Sequence, residues 1–137
     1  MDNMFSFIPP KYRKNKENNA FRCLPKKGTK GAAAYDIYCP VHVDIPAHKS
    51  VMVWTDVKVY IESGYVFLLT VRSSMGKKGI MLANTIGVID QDYADNPDND
   101  GNIGAFLHNS SDKDVSFEPG DRIPQGPFVR NGEAAND

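Results

Sequence analysis

The chain has 137 residues, enough for one domain with one core and too few for two. Hydrophobic residues make up 41% and charged residues 24%, the balance of an ordinary globular protein. Lys and Arg number 16 against 17 Asp and Glu, a net charge of −1, so general nucleic-acid binding has no bulk support and any phosphate must be met by a few placed groups.

Residues 1–10 lack the basic stretch, apolar run and small-residue cleavage site of a targeting segment. No apolar run approaches the roughly 20 residues that span a bilayer, so a soluble, cytoplasmic protein without membrane partners is expected. PPKYRKNKENN at 9–19 is polar, charged and Pro-led, and residues 1–19 are expected to form a mobile arm. The domain then runs over 20–130, with 131–137 as a short tail. Cys23 and Cys39 are too few for a disulfide framework and match no zinc spacing, so free thiols are expected.

From Ala20 onward the pattern is that of strands. VHVDIP at 41–46 alternates Val41, Val43 and Ile45 on one face. At 57–62, Val57, Val59 and Ile61 point one way and Lys58, Tyr60 and Glu62 the other, which predicts a half-buried strand. YVFLLTV at 65–71 is apolar throughout, as a strand covered on both faces would be. A helical turn is predicted at 74–78, with Ser73 or Ser74 as its cap. Further short strands are expected at 80–83, 86–89, 103–107, 114–117 and 127–129. The punctuation between them (KKGTKG, ESG, DNPDNDGN, EPGD) argues an all-β sandwich, jelly roll or barrel.

Four clusters bear chemistry. In GAAAYDIY, 31–38, Asp36 enters a strand where a charge is costly unless paired or hydrated, which leaves a capping and a metal-associated role open. In VRSSMGKKG, 71–79, an apolar strand runs into Arg72, Ser73, Ser74 and Gly76. A guanidinium, hydroxyls and free helical amides at one strand end suit a phosphate, although an ordinary strand-to-turn corner has the same look. NTIGVIDQDYADNPDNDGNI, 84–103, sets Asp90 at a strand end with Tyr93 after it. Its tail NPDNDG superficially resembles a calcium loop. Asn96 in the first ligand position and Leu107 in place of the bidentate Glu argue for a solvated acidic turn instead. PGDRIPQGPF, 119–128, carries Arg122 and Gln125 and is uninformative alone. His42, His48 and His108 are scattered, and no nucleophile–base motif is present.

In order, AAAYDIY, RSSMGKKG, NTIGVIDQDY and GDRIPQG resemble the first four motifs of the trimeric dUTPase family, over about 24–129. The extended DYADNPDNDGNI is similar to that of phage and some bacterial members. The resemblance implies a jelly-roll-like β-barrel, a homotrimer with active sites at subunit boundaries, and Mg²⁺-assisted hydrolysis of dUTP to dUMP and pyrophosphate. It implies that Asp36 holds waters of the Mg²⁺, and that Arg72, Ser73, Ser74, donors around Gly76, and Gln125 grip phosphate oxygens. Residues from Asn84 to Tyr93, among them Gly87, Val88 and Ile89, would form a hairpin pocket reading uracil through backbone groups. Tyr93 would exclude a ribose 2′-hydroxyl, and Asp90 would deprotonate the water attacking the α-phosphorus.

Three departures qualify the resemblance. The family's Gly-rich fifth motif, which carries Arg and Phe and closes over the nucleotide, has no counterpart in VRNGEAAND after Phe128, which predicts slow turnover or a truncated copy. Pro124 stands where the family commonly has Ala, and Ala34 where Gly is frequent. Two rivals follow. A dCTP deaminase shares the fold but needs a Glu beside the base, and 101–111 holds none. A nucleotide-sensing protein that binds dUTP with little turnover, acting through a regulatory protein partner, is the alternative from another class.

Overall fold

In the computed structural model, which describes residues 2–136, the period-two segments become antiparallel strands around one apolar core. In chain order these are β1 (Met4–Phe7), β2 (Tyr35–Tyr38), β3 (Val43–Ile45), β4 (Ser50–Trp54), β5 (Val57–Tyr60) and β6 (Tyr65–Val71). The single-turn helix α1 (Ser73–Lys77) follows. After it come β7 (Ile80–Leu82), β8 (Gly87–Ile89), β9 (Gly104–Asn109), β10 (Val115–Phe117), β11 (Arg122–Gly126) and β12 (Phe128–Arg130). The all-β jelly-roll-like expectation holds.

β6 is the organising strand. It pairs with β8 on one side, and with β11 and then β12 on the other; β11 also pairs with β2. β4, β9 and β7 form a second sheet, and the ribbons β1–β5 and β3–β10 complete the framework. Inward residues of these layers, among them Ile37, Val59, Phe67, Ile80, Ile103, Leu107 and Ile123, build the core. Gly126 sits where the chain passes from β11 to β12, and a Cβ there would collide with Cζ of the fully buried Phe67. Cys23 and Cys39 are free; Cys39 is buried, and burial pushes its thiol up to about 11.

Three local expectations change. The segment 1–19 is not a free arm: β1 pairs with β5, Phe5 joins an aromatic cluster with Tyr35, Phe67 and Phe128, and Lys14 and Asn15 donate their N–H groups to Asp56. Met1 of that arm and Asp137 of the tail lie outside the described residues. The segment reads as polar because its apolar residues are few, but among them Ile8 is fully buried and Phe5 packs against the core. The helical turn begins one residue early, with Arg72 at its cap position and no side-chain cap. Lys58, expected in solvent, is buried, for a reason that lies in the loop after β8.

Candidate active site

β11 carries Gln125 between two neighbours, opposite Asp36 of β2 and opposite Thr70 of β6. Two residues past Thr70, β6 ends at the corner where Arg72 donates its N–H to the Ile123 carbonyl of β11. This register gathers Asp36, Arg72, Ser73, Arg122 and Gln125 around one open cleft of about 410 Å³, closed on another side by Gly28, Thr29 and 32–34. The small alanines let that loop approach.

The Asp36 carboxylate is buried and lies between two guanidinium groups, 3.2 Å from Arg72 Nε and 3.5 Å from Arg122 Nη1. It therefore aims two arginines into the cleft. Behind Arg72 the first turn of α1 adds amides at Ser73 and Ser74, and the first amides of a helix have no intrahelical acceptor. Ser74 opens onto an adjoining cleft, shared with Arg72 and Arg122 and flanked by Lys78. Two guanidinium groups, hydroxyls, amides and the Gln125 amide form a donor-rich basin suited to a polyphosphate.

The other half of the expected site lies elsewhere. Asn84 and Thr85 form a tight turn, with the Ile86 N–H donating to the Asn84 carbonyl and Thr85 at a φ of 69°. β8 then pairs with β6, Gly87 opposite Leu69 and Ile89 opposite Phe67. The expected hairpin is thus not one: β7 and β8 pair with different sheets, and 84–86 turns the corner between them. Asp90 follows β8, exposed rather than buried, its Oδ1 accepting the Asp92 N–H at 3.0 Å.

Continuing that register puts Asp90 level with Val66, six residues along β6 from Arg72. At the ~3.3 Å rise of a strand residue this is on the order of 20 Å. None of 84–93 lines the cleft. Tyr93 is half-buried, its hydroxyl donating to the Asn102 carbonyl and accepting from Asn99 Nδ2 at 3.0 Å. Burial pushes its phenol up.

A sequence profile of the dUTPase family matches residues 22–132. The chain belongs to the dUTPase family. A deoxyuridine 5'-triphosphate nucleotidohydrolase of Lactococcus lactis is 38% identical over 115 residues, 83% of this chain and 77% of that protein. A crystal structure of dUTPase from Streptococcus mutans superimposes with a TM-score of 0.81 at 39% identity, covering 95% of this chain and 97% of that one. Staphylococcus bacteriophage 80alpha dUTPase, at 23% identity and a TM-score of 0.73 over 96% and 92% of the two chains, shares the fold.

Within this family frame, the first, second and fourth motifs meet in one cleft of one chain, and the third does not. Arg122 was passed over in the sequence although it lies inside the fourth motif. Its place beside Asp36 depends on the irregular register between Arg122 and Gln125, which no local pattern announces. For Mg²⁺, the cleft offers a single carboxylate already held by two guanidinium groups. Among the described residues no group of three metal-ligating side chains gathers. That donor set fits an ion carried in on a triphosphate, since Mg²⁺ keeps several waters and takes one or two carboxylates plus substrate phosphates.

Proposed function

We propose that the chain hydrolyses dUTP to dUMP and pyrophosphate, at sites assembled between copies of itself in a homotrimer. Family membership together with the two-arginine cleft carries this reading. Arg72, Ser73, Gln125 and the amides around Ser74 and Gly76 bind the phosphate oxygens. Arg122 shares the Asp36 carboxylate with Arg72 and offsets charge on the departing pyrophosphate. Asp36 is the carboxylate that would hold waters of a Mg²⁺ ion on the triphosphate, and the ion would supply further charge neutralisation there.

Asp90 accepts the proton of the water that attacks the α-phosphorus, oriented by its bond from the Asp92 amide. The backbone of Gly87, Val88 and Ile89 with Asn84 meets the uracil, and Tyr93 packs on the deoxyribose. A ribose 2′-hydroxyl would then meet the ring, the steric basis of selection against UTP.

Two observations favour a site shared between chains. The roughly 20 Å along β6 between Asp90 and Arg72 exceeds the reach of one triphosphate. Apolar side chains also stand exposed on the single chain: Val88 at 69% and Ile86 at 45%, and Met52, Phe106 and Met81 on the outer face of the β4–β9–β7 sheet. The regulatory alternative has no observation in its favour.

The test is pyrophosphate release from dUTP with Mg²⁺, with UTP and dCTP as comparisons. Release from dUTP, reduced by ~10³-fold or more in Asp90→Asn, is expected. Unreduced release from that variant would remove Asp90 from the mechanism. No release from the wild type would overturn the proposed activity.

A further inference from the structure

The loop between β8 and β9 carries Tyr93 and has almost no sheet to hold it. Its acidic end is solvated in part, as the sequence implied: Asp95 and Asp98 are exposed, but Asp100 turns inward. Lys58 of β5, only 8% exposed at its side chain, reaches through the wall and places its ammonium 2.7 Å from both Asp95 Oδ1 and Asp100 Oδ2. The Tyr60 hydroxyl donates to Asp95 Oδ1 from the same strand, 2.8 Å away. A protein cation thus stands where NPDNDG had invited comparison with a calcium loop. Burial alone would lower the Lys58 pKa, but the Asp100 and Asp95 carboxylates outweigh it and raise it well above the ordinary lysine range.

The ion triad closes a loop that is costly on its own. Asp95 and Asp100 both have left-handed backbone, with φ of 63° and 61°. The Asp95 N–H donates to the Asp100 carbonyl, and the Asp100 N–H to that of Asn96. The Asn96 and Asn99 side chains complete the turn, and from them the bonds lead to Tyr93: Asn96 Nδ2 donates to its carbonyl at 2.7 Å and Asn99 Nδ2 to its hydroxyl. The loop orients the tyrosine from its backbone and from its hydroxyl at once.

We propose that Lys58 is a positioning residue for substrate selection, fixing the Tyr93 ring through Asp95 and Asp100 and so setting the preference for a deoxyribose over a ribose nucleotide. This rests on the proposed role of Tyr93 against the sugar. A ring that serves as a wall discriminates only while it is stiff, and a small displacement of a positioning group costs large factors in rate.

The test compares kcat/KM for dUTP and UTP in the wild type, Lys58→Met, Lys58→Arg and Asp95→Asn, with amide hydrogen exchange over 93–101. Lys58→Met is expected to lower the dUTP-to-UTP ratio about tenfold and to speed loop exchange, with Lys58→Arg restoring most of both. Asp95→Asn, on the exposed rim of the triad, is expected to move both the same way by less. It serves if Lys58→Met does not fold. Folded variants that are slower on both nucleotides at an unchanged ratio would overturn the inference, as would unchanged loop exchange. A wild type with no preference for dUTP would instead sink the proposed function, and the exchange measurement would still decide whether Lys58 holds the loop.

Discussion

Replacing Asp56 by alanine should loosen the stretch around Lys14 and Asn15 and lower the melting temperature by roughly 10 °C. The Asp56 side chain is 2% exposed. It accepts from the Lys14 and Asn15 N–H groups at 2.9 and 3.1 Å, from Asn15 Nδ2 at 3.1 Å and from Asn102 Nδ2 at 2.9 Å, with Arg22 Nη1 at 3.4 Å. Removing one partner from a buried charged network costs about 3–5 kcal/mol. The lower end applies, because Lys14 and Asn15 lie on a partly exposed segment where water replaces part of the loss. Asp56 has a φ of 58°, so alanine also bears a left-handed penalty of about 1 kcal/mol. A loss of about 3–4 kcal/mol at roughly 3 °C per kcal/mol gives the stated shift.

Asp56→Asn tolerates that backbone and keeps one acceptor oxygen, so about half the effect is expected. The pH dependence has a fixed sign. Burial would raise the Asp56 pKa, but the bonds from Lys14, Asn102 and Asn15 outweigh it and hold it below the usual carboxylate range. Its contribution is present above the unfolded value near 3.9 and is lost as pH falls through the lower folded value. The wild-type and Asp56→Asn curves should therefore converge on acidification. The assay is thermal unfolding by circular dichroism at fixed protein concentration, with limited tryptic cleavage at Lys11, Lys14 and Lys16. An Asp56→Ala protein melting within about 2 °C of the wild type, equally resistant to cleavage, would refute the anchoring role.

Gly126→Ala should destabilise the domain by about 1–3 kcal/mol, read as a lower urea midpoint, because its Cβ would press on the Phe67 ring and lie 2.7 Å from the Leu68 carbonyl. An unchanged midpoint would mean the β11–β12 crossing is looser than its geometry. Light scattering should give three times the chain mass. Refolding a mixture of Arg72→Ala and Asp90→Asn chains should recover part of the pyrophosphate release that neither gives alone. A monomer, or failure to complement, would return both halves of the site to one chain.

Local chemistry in the sequence determined the strands at 57–60 and 65–71, the turn punctuation, the strand-to-helix corner at Arg72 and the four ordered motifs. These depend on side-chain period and on residue types a few positions apart, which a linear pattern records. Only the tertiary structure decided where charges reside. Lys58 alternates as a solvent-facing residue, yet it is buried because Asp95 and Asp100, some forty residues later, supply its counter-charges. Asp36 could have been a cap; strand pairing made it the partner of Arg72 and Arg122. The N-terminal segment looked mobile because its composition is polar, and its anchor, Asp56, is far along the chain. The separation of Asp90 from Arg72 follows from antiparallel register alone, which carries β8 away from the cleft as it leaves the Asn84 turn.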